Sequence, residues 1–145
     1  MVTRTEPKPQ AYFEWCDAWV FAALQRAICD NGNVDFTRVI GCSDVLNHAI
    51  LMADEIRVAL LKFAKRGLIE FDDRVVRVTP LVALMYERIA RRRGGLFSVV
   101  DNTLAVLNSP RTKLPELDVD PDVSFITEKF VKGEWRRFQP TETHL

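Results

Sequence analysis

The chain has 145 residues, 48% of them hydrophobic, and Lys+Arg and Asp+Glu both number 20. That length supplies one ordinary core and is short for two domains, and the balanced charge provides no global positive field, so any attraction to nucleic acid has to come from local clustering. Cys16, Cys29 and Cys42 form an odd, widely spaced set that suits neither a disulfide framework nor a zinc site, and no apolar run is long enough to span a bilayer; a cytoplasmic protein without membrane contact is expected.

Residues 1–10 are polar and contain Pro7 and Pro9, which predicts a flexible N-terminal arm. From Cys16 the apolar residues Trp19, Val20, Ala23, Leu24, Ala27 and Ile28 recur at helical spacing, predicting a first helix. Tyr12, Trp15, Ala18 and Ala22 flank that face, and Phe21 falls among Glu14, Asp17 and Gln25 on the polar side. Such an apolar excess predicts a contact surface, so Trp15 and Phe21 are candidates for a protein interface and the chain for a homodimer. Asp30-Asn31-Gly32-Asn33 has the chemistry of a helix-ending turn. Val34 to Ile40 reads as a short strand or, preferably, a short helix ending at Gly41, with Ser43 as N-cap of the next helix, which carries Val45, Leu46, Ala49 and Ile50.

The following helix buries Ile56, Ala59, Leu60, Phe63 and Ala64 and stops at Gly67. Leu68 to Phe71 and Arg74 to Thr79 are β-rich runs around Asp72-Asp73, which predicts a tight hairpin. Thr79 as N-cap with Pro80 at the first helical position opens another helix, with Leu81, Leu84, Met85 and Ile89 on its apolar face. Arg91-Arg92-Arg93-Gly94-Gly95 breaks it, and Phe97, Val100, Leu104 and Leu107 mark one more helix. Residues 111–145 read as an acidic linker followed by an aromatic tail with Phe125, Phe130, Trp135 and Phe138, a segment expected to dock on its own domain or on a partner protein.

The predicted class is therefore mainly α with a small β-hairpin (α+β). Ser43 to Arg93, with Gly67-Leu68-Ile69 at the turn from helix to hairpin, resembles the winged helix-turn-helix of small bacterial transcription-regulator-like proteins. The resemblance implies a winged-helix domain over 11–110 with extra N- and C-terminal helices, in which the helix before Gly67 reads duplex DNA and the hairpin touches phosphates. On this sequence the phosphate contacts would fall to Arg57, Lys62, Lys65, Arg74 and Arg77, in a dimeric transcriptional regulator.

The outward residues of that helix, Asp54, Val58, Leu61 and Lys65, differ from a usual groove reader, and Asp54 and Glu55 would repel phosphates. The same scaffold is therefore also read as a protein-interaction module that binds no DNA, with Val58, Leu61 and Trp135 as interface candidates. No nucleotide loop, nucleophile elbow or metal-ligand spacing appears, so no enzyme, metal or cofactor is expected. His48 reads as a partly buried helix residue, and Cys42, just ahead of an expected helix, as a small buried hydrophobe in preference to a redox sensor.

Overall fold

The computed structural model describes residues 11–138, so the expected N-terminal arm and the last residues of the tail lie outside it. In chain order the described residues form α1 (Trp15–Gln25), α2 (Phe36–Asn47), α3 (Ala53–Lys65), β1 (Ile69–Asp72), β2 (Val75–Val78), α4 (Pro80–Ala90), α5 (Val99–Leu107) and α6 (Glu128–Phe138), with a 3-10 turn at Leu96–Ser98 before α5. This is the mainly helical α+β architecture expected, with one two-stranded antiparallel sheet.

Helix α1 is the axis of the core, packed against α2, α3 and α5. Helices on three sides explain why its polar pattern misleads: Phe21, expected on an open face, is 0% exposed and meets Phe63 edge-on with ring centroids 5.4 Å apart. Phe21 is thus removed as an interface residue, and the apolar excess of α1 is consumed internally except at Trp15. Asp17 is buried too, and its Oδ2 accepts from the Glu14 amide at the start of α1 (2.8 Å) and from Lys62 Nζ on α3 (2.6 Å).

After α1 the chain doubles back. Ile28 pairs with Val34, the Val34 amide donates to Val76 O (2.8 Å) and the Val78 amide to Gly32 O (3.0 Å), so this stub lies along one side of β2. The expected break at Gly41 is absent. Asp35 caps a single helix by accepting from the Thr37 amide, and α2 runs on to His48, which is exposed and ends it in the left-handed conformation (φ 52°). Ser43 is a buried residue inside α2 that donates to Ile40 O (2.6 Å), not a cap. Gly41 is tolerated mid-helix because the Phe138 ring of α6 sits where its Cβ would be.

Helix α3 stops where expected, with Gly67 at φ 72°. The hairpin pairs Ile69 with Val78 and Asp72 with Val75, so Asp73-Arg74 is the connection and Asp72 belongs to β1. Thr79 occupies the N-cap position of α4, but its hydroxyl donates to Gly67 O (2.6 Å) and ties the two ends of the hairpin together. Helix α4 buries Val82, Met85 and Ile89 and leaves Leu84 exposed, and Phe97, expected on the apolar face of α5, is exposed and lies ahead of that helix. Among the described residues no helix is long and apolar enough to cross a membrane.

Candidate interaction surface

The acidic linker docks on the chain's own body along one flank of α3, and the aromatic tail packs chiefly on α2. At the C-terminal end of α3 the Leu117 amide donates to Lys65 O (2.8 Å), Arg66 pairs with Glu116 (3.0 Å), and Pro115 lies over Gly67. At the N-terminal end Arg57 donates to Ile126 O and Glu128 Oε1 accepts from the Ala53 amide (2.7 Å), which satisfies one of the free donors of the helix start. The strap formed by residues 113–128 therefore runs antiparallel to α3 over most of its length. Buried Val123, Ile126 and Val131, and a cluster in which Phe36 of α2 meets Phe125 and Phe130 edge-on, hold it down. Each such apolar side chain contributes about 1.5–3 kcal/mol on burial, so the strap is anchored at its α6 end by several kcal/mol.

Between its anchors the strap has more chain than the helix beside it requires. Lys65 to Arg57 spans about 12 Å at the helical rise, whereas the strap from Leu117 to Ile126 can extend to about 30 Å. The slack forms an arch in which Asp118, Val119, Asp120 and Asp122 are exposed and Pro121 is half-buried. The Asp122 carboxyl is held below the usual range by hydrogen bonds from Ser124. On one side of the arch, against the hairpin, opens a groove of about 1010 Å³ with Ala64, Ile69, Phe71, Leu117 and Phe125 as its apolar lining. On the other side a smaller cleft is bounded by Arg57 and Leu61.

The sequence-predicted residues divide along these lines. Arg57 is turned to the strap and Lys62 to Asp17, so both cations have internal partners. Lys65, Arg74 and Arg77 are exposed; Arg74 stands 5.8 Å over the Phe125 ring, and Arg77 Nε donates to Asn33 (3.1 Å). Glu55, read as facing DNA, points inwards: it accepts from the Met52 amide (2.8 Å) and from the Cys16 thiol (2.7 Å), linking α1 to α3. Leu61 is half-buried beside the strap, Val58 is 49% exposed, and Trp15 is 40% exposed with its indole donating to Asp101 (3.1 Å). Trp135 is half-buried, stacked on Phe138 and packed on the chain's own core.

Burial pushes the Cys16 thiol up to about 12, with Glu55 adding to the effect, and raises Cys42 as well. Cys42 lies within α2, not ahead of it, and its raised value removes the basis of a redox-sensor reading. No group of three or more His, Cys, Asp or Glu side chains among the described residues is placed to hold a metal ion. No family model matches the chain, and no curated protein or solved structure matches it at a significant level. The aromatic content of the tail predicts docking, but its place beside α3 is not legible in the sequence, because the bonds that fix it join residues 52–75 positions apart and use main-chain groups.

Proposed function

We propose that the chain is a winged-helix protein-interaction module that does not read duplex DNA. The order α1, short β-bridge, α2, α3, β1 and β2 supports the winged-helix reading of the scaffold, in which α3 stands as recognition helix and the hairpin as wing. The observation that carries the functional reading is the strap beside α3, which holds Arg57 and lies against Leu61 on one flank of the helix, while the outward Val58 is an exposed apolar side chain better suited to protein than to a phosphate backbone. The strap also sets Asp120 and Asp122 beside Arg57 and Leu61, carboxylates that repel phosphates approaching that flank. Of the five cations assigned to phosphate contact, Arg57 and Lys62 have internal partners.

Anisotropy of a labelled mixed-sequence duplex, titrated with the full chain at low and moderate salt, tests this reading. The expected result is no saturable binding at low salt. Tight binding that weakens steeply with salt, and weakens further in Arg74→Ala with Arg77→Ala, overturns it.

A further inference from the structure

The groove between the arch and the hairpin follows an edge of the sheet. The Thr79 amide donates to Leu68 O (2.9 Å), which makes Leu68 and Thr79 a hydrogen-bonded pair and, by the two-residue alternation of an antiparallel ladder, Glu70–Arg77 and Asp72–Val75 the next ones. Main-chain groups of Ile69 and Phe71 therefore point away from β2. The far side of β2 is taken by the stub at Gly32 and Val34, so among the described residues β1 is the free edge. Ile69, Glu70 and Phe71, whose side chains alternate between faces, all line the groove, as happens along an edge and not over a face. Ile69 is only 2% exposed, so the accessible part of the edge centres on Phe71.

The charge of the groove selects among occupants. Glu70, Asp73, Asp120 and Asp122 contribute carboxylates from both walls, and Arg74 is the cation set against them. We propose that this groove binds an extended, lysine- or arginine-bearing segment of a partner protein, which adds to β1 as a further strand while its cations meet the acidic walls. The apolar floor at Phe71 and Leu117 takes the partner's alternate side chains. This inference rests on the reading of the chain as a protein-interaction module and names the surface and the partner chemistry.

The probe is a fluorescein-labelled peptide alternating Lys and Val, titrated with the full chain. Saturable binding is expected, with the Glu and Val counterpart at least about tenfold weaker. Glu70→Gln with Asp120→Asn and Asp122→Asn, all at exposed positions, should raise the dissociation constant about tenfold, the sum of three partly screened charge contacts. N-methylation of alternate peptide amides should abolish binding in one register and spare it in the other, and the bound peptide should slow hydrogen exchange of the Phe71 amide. Absent binding, equal binding of the acidic peptide, or indifference to N-methylation in both registers overturns the proposal. If the peptide fails while duplex DNA is also not bound, the groove assignment falls and the module reading stands; duplex binding would remove the module reading itself.

Discussion

Replacing Lys62 by Met separates a structural lysine from a phosphate-binding one. The Lys62 amine lies 2.6 Å from Asp17 Oδ2, and the two side chains are 22% and 4% exposed. Lys62→Met keeps the stem but leaves the Asp17 carboxylate buried with the Glu14 amide as its remaining donor. Stranding one member of a buried ion pair costs about 3–5 kcal/mol. The partial exposure of Lys62 and the surviving Glu14 bond reduce this to about 2–3 kcal/mol, equivalent to a loss of about 5–10 °C in Tm for a chain of this size. Asp17→Asn preserves an acceptor for Glu14 and frees the lysine to reach water, so it should cost less, about 1–2 kcal/mol. Urea denaturation of the two single variants and the double variant should give a coupling of about 1–2 kcal/mol, with the slope unchanged. Lys65→Met, at an exposed position, serves as control and should stay within about 0.5 kcal/mol of wild type. A Lys62→Met variant as stable as that control would refute the assignment of Lys62 to the core.

Gly41→Ala would ordinarily stabilise a helix by about 1 kcal/mol, but the Phe138 ring occupies the Cβ position; thermal melts should show no gain in the wild-type background and a gain of about 0.5–1 kcal/mol with Phe138→Ala. Gly67→Ala meets both the left-handed φ of 72° and Pro115, so a loss of about 1–3 kcal/mol is expected in denaturant titrations, and a neutral result would show that the strap is not seated there. Cys29 is exposed while Cys16 and Cys42 are partly covered with raised pKa values, so thiol titration with a disulfide reagent near neutrality should show one fast-reacting group that disappears in Cys29→Ser. The Cys16 thiol rises from its ordinary 9.0 to about 12, so between these values the unfolded chain loses this proton before the folded one. Its contribution to stability is therefore complete below about pH 9 and declines as the pH rises towards 12, a decline that should be shallower in Cys16→Ser.

Local chemistry was sufficient for the centre of the chain. The periodicity of Ile56, Ala59, Leu60 and Phe63, Gly67 in the left-handed region, the β-rich runs around the hairpin and Thr79-Pro80 at the start of α4 all act within a few residues, and those elements appear at the expected places. Elsewhere the deciding partner is distant in sequence. Gly41 continues a helix because Phe138 fills its missing side chain, and Asp17 and Phe21 are buried because α2, α3 and α5 enclose α1.

The same distinction governs the candidate surface. The sequence by itself determined an α+β chain with a short hairpin after an amphipathic helix, because hydrophobic spacing and turn residues set local conformation directly. Only the tertiary structure decided what that helix shows to the outside. The Lys65 carbonyl accepts from the Leu117 amide and the Ala53 amide donates to the Glu128 carboxylate, which lays the strap beside α3, and main-chain groups of a helix leave no mark in side-chain periodicity. The free edge of β1 is also a matter of ladder parity and of which neighbour covers β2, geometry that exists only once the chain has folded back on itself.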